Sequence, residues 1–284
     1  MSNPDRYTLE LPNLRLSYLV WGQGREPLLC LHGMADCGLV WSHLGQSLSD
    51  RYCVVAPDLR GHGESDKPAD YSFDSIIADL EALMQALGWE SAHILAHSWS
   101  AKTVALWAQR SPHRFKSLIL VDPFFMGRFP AWVRLTFPLF YRVLPFLKLV
   151  GKFPSYEVAE QIARTLKQYR GWTALQQEVF RATIAQQSDG SWQSKFPENA
   201  RDRIFEAILN IDGLTATIAV PTLFVKPQQG LNRMAWQLQP YKNHCLNLQI
   251  REVPGNHWTF LTEPEAFDRA ISEFLEGLKS SSSP

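Results

Sequence analysis

From Tyr7 to Val20 apolar and polar positions alternate around Pro12-Asn13, with Tyr7, Leu9 and Leu11 on one side and Leu14, Leu16, Tyr18 and Val20 on the other. A period of two on both sides of a turn predicts an antiparallel hairpin, the start of a sheet. Five short runs follow that are apolar almost throughout: "LLCL", "CVVA", "HILA", "SLILV" and "TLFV". Each is too short for a helix and ends in turn residues, the pattern of strands buried on both faces.

Helical periods separate these runs. In "SIIADLEALMQALGW", Ile76, Ile77, Leu80, Leu83, Met84 and Leu87 recur on one face, and in "EPEAFDRAISEFLEGL" Phe267, Ile271, Phe274 and Leu278 form one stripe. Strand, helix, strand implies an α/β protein with a mostly parallel sheet. The rhythm breaks between Phe124 and Leu214, where aromatics and prolines give way to "SYEVAEQIARTLKQY" and "ALQQEVFRATIAQQ" with no convincing strand. That stretch, 124–214, is expected to be an inserted helical cap on a core formed by 1–123 and 215–279. The terminal "KSSSSP" supplies a disordered tail over 280–284.

Composition narrows the partners. In 284 residues 45% are hydrophobic, 20% are charged and the formal net charge is zero, so no global field draws the chain to nucleic acid. Cys30, Cys37, Cys53 and Cys245 have neither metal-type spacing nor disulfide density and read as reduced thiols. The beginning "MSNPDRYTLE" lacks a basic segment followed by an apolar run, so a cytoplasmic location is expected. Oligomeric state is left open.

The chemistry centres on "LAHSWSA", residues 95–101, where a buried strand meets the helix "WSAKTVALWAQR". A serine at such a junction is often a helix cap. It is also the place of a nucleophile elbow, in which small residues flank a serine on a sharp turn, and the flanks of Ser98 are Ala96 and Ser100. Three further segments bear on the choice: "LLCLHGMADCGLVW", "VVAPDLRGHGESDKP" and, far downstream, "REVPGNHWTFLTEPEAF". In this order the four segments resemble the α/β-hydrolase family over residues 7–278 outside the cap. The resemblance implies an eight-stranded sheet flanked by helices. It also implies Ser98 as nucleophile, His257 as base, and the backbone N–H groups of Met34 and Trp99 as the oxyanion hole.

The third member of the triad departs from the family pattern. Its usual position, after the strand that follows the cap, falls near Gly230 in "PTLFVKPQQGLNRM", and no Asp or Glu occurs between Pro221 and Arg251. Some relatives, a subset of haloalkane dehalogenases among them, carry the acid one strand earlier. Asp122 in "SLILVDPFF" occupies that place, with Glu252, Asp212 or no acid as alternatives. An aspartate at Gly230 is expected to have little effect alone and to restore part of the activity lost with Asp122. The remaining histidines, His32, His43, His62, His93, His97, His113 and His244, read as structural or exposed, with no ligand set for a metal. No cofactor is implied.

The beginning of the cap, 124–153, combines aromatics with Arg128, Arg134, Arg142, Lys148 and Lys152 and has no acid. A hydrophobic lid with solvated cations is favoured over a peripheral membrane surface. The expected function is therefore a serine hydrolase, acting through an acyl-enzyme on a small apolar ester or thioester. Dehalogenase and epoxide-hydrolase relatives attack with an aspartate where this chain has Ser98. Carbon–carbon bond hydrolysis on the same triad, and a non-catalytic ligand receptor on the same fold, are the alternatives.

Overall fold

The structure, a computed structural model, describes residues 4–128, 130, 132 and 144–281. In chain order the first half comprises β1 (Asp5–Leu11), β2 (Leu14–Trp21), β3 (Glu26–Leu31), α1 (Ser42–Leu48), β4 (Tyr52–Pro57), α2 (Phe73–Ala86), β5 (Ala92–His97), α3 (Trp99–Arg110) and β6 (Phe115–Val121). There follow β7 (Lys152–Phe153), α4 (Tyr156–Ala163), α5 (Ala174–Thr183), β8 (Ile184–Gln186), β9 (Trp192–Ser194) and α6 (Glu198–Asn210). The chain closes with β10 (Thr222–Gln229), α7 (Ala235–His244), β11 (Leu248–Asn256), α8 (Thr259–Thr262) and α9 (Pro264–Ser281).

Eight strands form one sheet in the order β1-β2-β4-β3-β5-β6-β10-β11. The predicted hairpin pairs β1 with β2 antiparallel, from Asp5 opposite Val20 to Leu11 opposite Leu14. The β2–β4 pair is antiparallel too, and every pair from β4 to β11 is parallel. Strand β5 is buried along its whole length, as a run covered by helices on both faces requires. One face is covered by α2 and α3, with Ile76, Leu80, Leu83 and Trp107 packed inward. The other is covered by α1 and α9, whose Phe267, Ile271 and Phe274 are buried. The four cysteines are free, and no helix among the described residues is long and apolar enough to cross a membrane.

Among its described residues the insertion between β6 and β10 carries helices α4, α5 and α6 and also a three-stranded antiparallel sheet, β7-β9-β8, that the sequence pattern did not announce. Strands of two or three residues are too short for alternation to register. Both junctions of the insertion are tied to α3. Lys102 donates from Nζ to the carbonyls of Ile208 at 2.7 Å and Gly127 at 3.1 Å, and burial pushes its ammonium pKa down to about 8. Gln109 donates to Gly213 O at 2.7 Å and accepts from Ala216 N at 2.6 Å. Arg134 and Arg142 lie outside the described residues. Of the expected tail 280–284, Ser280 and Ser281 belong to α9, and 282–284 lie outside the described residues.

Within "DLRGHGESDKP" the residues hold one another. Asp58 accepts from Gly38 N and Glu64 N at 2.7 and 3.0 Å. Arg60 forms two parallel 2.8 Å bonds to Asp79 on α2, and both side chains are less than a tenth exposed. Removing one member of such a pair leaves an uncompensated charge in the interior. Arg60→Met is therefore expected to lower stability by about 3–5 kcal/mol. Replacing both Arg60 and Asp79 with apolar residues should recover most of the loss, as measured by urea denaturation.

Candidate active site

Parallel strands place their C-terminal ends, and the loops that follow, along one rim of the sheet. Four of these ends carry the residues singled out in the sequence. Ser98 follows β5 directly, with φ +60° and ψ −117°, a conformation an L-residue adopts only when its surroundings impose it. Here they do. Ser98 N donates to Val121 O at 3.0 Å, Ser98 O accepts from Phe124 N at 3.1 Å, and the small flanks Ala96 and Ser100 are fully buried. The hydroxyl of Ser100 donates to His97 O at 2.8 Å, so this flank makes a bond that a glycine would not.

Asp122 follows β6, also at positive φ (+38°), and its amide is held by Val225 O at 3.0 Å. His257 follows β11. Its Nδ1 lies 2.7 Å from Asp122 Oδ2 and its Nε2 lies 3.0 Å from Ser98 Oγ. The carboxylate accepts only, so Nδ1 carries the hydrogen of the neutral imidazole and Nε2 is left as an acceptor for the serine hydroxyl. Met34, after β3, and Trp99, the first residue of α3, line the same cavity as Ser98. The amide of Trp99 belongs to a helical first turn, whose N–H groups have no partner within the helix. The loop carrying Met34 is fixed by His32, which donates to Gly33 O at 2.7 Å and accepts from Leu59 N at 3.0 Å. The structure therefore brings together all five residues singled out. Glu252 instead pairs with Lys226 at 2.7 Å on the surface, and Asp212 accepts from Arg128 N at 2.5 Å.

A family model of the alpha/beta hydrolase fold matches residues 26–264. The chain belongs to the α/β hydrolase fold family. Over 303 aligned residues it is 25% identical to the fluoroacetate dehalogenase of Burkholderia sp, covering 97% of this chain and 95% of that protein. It is 35% identical to epoxide hydrolase 4 of Mus musculus over 113 residues, 38% of this chain. That match spans about a third of the mouse protein's own length, 32%. Among solved structures, E-2-(acetamidomethylene)succinate hydrolase superposes with a TM-score of 0.82 at 22% identity, covering 96% of this chain and all of that one, a likeness of fold.

In this α/β hydrolase the carboxylate of Asp122 lies against Gly230, the position near which the family pattern expects an acid. A Cβ built on Gly230 would lie 2.5 Å from Asp122 Oδ2 and 2.8 Å from its Cγ. A side chain at 230 would therefore force the Asp122 carboxylate or the loop that carries residue 230 to shift. The loop beyond Gly230 supplies the donors. Leu231 N reaches Oδ2 at 2.8 Å, while Asn232 reaches Oδ1 from its backbone N at 3.2 Å and from Nδ2 at 2.9 Å. Burial alone would raise the Asp122 pKa. The hydrogen bond and charge of His257, with the Asn232 and Leu231 bonds, overcome it and hold the carboxyl below its ordinary value.

Sequence reasoning passed over Asn232, whose signal was an amide side chain two residues beyond the vacated acid position. It also passed over His97, read as structural or exposed. Fully buried, His97 donates from Nε2 to the main-chain carbonyl of His257 at 2.9 Å, and its ring lies 4.4 Å from that of His257. Burial drives its pKa well down, so the ring is neutral. Beside it Asp36 accepts from Trp258 Nε1 at 3.2 Å, and burial pushes its carboxyl up to about 7.

The site opens into a cavity of about 270 Å³. Phe124, Leu144, Pro145, Phe146, Phe205 and Ile208 form its apolar wall, all of them on the insertion side of β6.

Two expectations follow. Gly230→Ala should displace Asp122 and lower turnover of any substrate of this site by at least about a hundredfold, a cost consistent with misplacing a catalytic group by about 1 Å; steady-state kinetics on folded variant protein checks it. The second concerns Asp36, which in the native state keeps its proton up to about pH 7 against an ordinary value of 3.8. Between these values the unfolded chain has lost a proton that the native state retains, so this group makes stability fall as pH rises, and the fall ends above the native pKa. Asp36→Asn is expected to flatten that slope in urea midpoints measured between pH 4.5 and 8 at roughly half-unit steps.

Proposed function

We propose that the protein is a serine hydrolase that cleaves a carboxylic ester or thioester of an apolar substrate through an acyl-enzyme. The observation that carries this reading is the unbroken chain from Ser98 Oγ through His257 to Asp122, at 3.0 and 2.7 Å, opening into an apolar cavity. His257 Nε2 takes the hydroxyl proton as Ser98 Oγ attacks the carbonyl carbon. The negative charge that develops on the carbonyl oxygen is received by the N–H groups of Met34 and Trp99. His257 then returns the proton to the departing alkoxide or thiolate, and Asp122 stabilises the imidazolium while the proton is held. Water repeats the sequence on the acyl-enzyme and releases the acid.

Residues 124–214 serve as the lid in this reading, with Phe146, Phe205 and Ile208 contacting the apolar part of the substrate. A nucleophile of this kind suits ester chemistry, because a neutral serine forms an acyl intermediate that water resolves.

The test is covalent labelling. A fluorophosphonate probe should modify Ser98, located by mass spectrometry of the peptide, and Ser98→Ala should abolish labelling; wild-type protein that stays unlabelled would instead support the ligand-receptor alternative. With Asp122→Asn, turnover of a short-chain 4-nitrophenyl ester is expected to fall by up to about ten thousandfold at unchanged far-ultraviolet circular dichroism, the penalty for the wrong imidazole tautomer. Near wild-type turnover in that variant would remove Asp122 from the mechanism.

A further inference from the structure

His97 is joined to Ser98 by a peptide bond, and its ring, 1% exposed, is packed among the elements that carry the rest of the site. Three contacts define its place. Nε2 donates to the main-chain carbonyl of His257 at 2.9 Å. A Cβ built on Gly33, the neighbour of Met34, would lie 2.5 Å from His97 Nδ1 and 3.0 Å from its Cε1. Phe260, three residues beyond His257, meets the ring edge-on with centroids 4.8 Å apart.

These contacts close a ring. From Ser98 the path runs through one peptide bond to His97, across the 2.9 Å hydrogen bond to His257 O, and back through the imidazole of His257 to Ser98 Oγ at 3.0 Å. Every link but the two hydrogen bonds is covalent, so little freedom is left in the separation of Ser98 and His257. The bonds to Ser98 and Asp122 set the direction of the His257 imidazole. The bond from His97 holds the main chain from which that imidazole projects, one residue past the end of β11.

The missing side chain at position 33 matters as much as the ring, because an alanine there would force His97 or the loop of Met34 to give way. Packing alone does not call for an imidazole, since burying a polar ring costs free energy that an apolar residue of similar size avoids. The donor is what distinguishes it. Burial, and next the charge of His257, lower the His97 pKa well below its ordinary value. The ring therefore keeps one hydrogen, spends it on the carbonyl, and places no second charge beside the His257 ring 4.4 Å away.

Resting on the hydrolase reading above, we propose that His97 is a positioning residue for the reaction: its N–H holds the main chain of His257, and its ring, seated against Gly33, spaces His257 from the loop of Met34. It acts through His257 and takes no part in the proton transfers.

The experiment compares His97→Leu, which removes the donor, with His97→Gln, whose side-chain amide restores one, on 4-nitrophenyl butanoate. His97→Leu should lower kcat by about a hundredfold, the cost of displacing a catalytic group by about 1 Å, with little change in KM. His97→Gln should recover at least about a tenth of wild-type kcat. A histidine needed only for packing would give the reverse order, because leucine suits an apolar surrounding better than glutamine, and its loss would lower the urea midpoint while kcat of the folded protein stayed intact. Gly33→Ala keeps the donor and disturbs only its seat, so it too should lower kcat. The double variant Gly33→Ala/His97→Leu should lose less than the product of the two single losses, because both changes act on one unit. Wild-type kcat in folded His97→Leu or in Gly33→Ala, no recovery in His97→Gln, or multiplicative losses in the double variant overturn the proposal. If esters are not turned over at all, the hydrolase reading fails separately, and crystal structures of wild-type and His97→Leu protein decide the positioning claim alone: His257 displaced from Ser98 by about 1 Å supports it, and an unmoved His257 rejects it.

Discussion

The carboxylate of Asp122 is the group on which the site's geometry rests. It is wholly buried at the end of a parallel strand, where an ionised acid is tolerated only with enough donors to replace water. Leu231, Asn232 and His257 provide them. These donors come from two separate loops, one after β10 and one after β11. A single carboxylate therefore fixes the loop of His257 against the strand that abuts Ser98. Ser98 is held by that same strand through Val121 O, so Ser98 and Asp122 share one rigid support. Pre-organisation of this kind is what the proposed proton relay requires, since small displacements are costly.

Helix α3 has a second task besides presenting Ser98. Through Lys102 and Gln109 it binds the carbonyls and amides at both ends of the insertion. The apolar wall of the cavity and Ser98 are thus referred to the same helix.

Most of the core was legible because buried parallel strands leave apolar runs and amphipathic helices leave a 3.6-residue period, as β5 and α2 illustrate. Ser98 and His257 were legible because their segments follow family patterns, and Asp122 because the usual acid was missing. What stayed hidden depends on the third dimension. Asn232 and His97 act through hydrogen bonds to residues more than a hundred positions away, and nothing local marks such partners. The strands β7, β8 and β9 are too short to show a period. The steric conflict at Gly230 is likewise invisible in a sequence, where a glycine reads only as an absent acid.

That conflict has a consequence for design. Because a Cβ at 230 would lie 2.5 Å from Asp122 Oδ2, an acid cannot be added at 230 in this geometry without a shift of the Asp122 carboxylate or of the loop that carries residue 230. Moving a carboxylate from the end of β6 to the end of β10 would therefore require the receiving loop, Gly230 to Asn232, to be rebuilt with it.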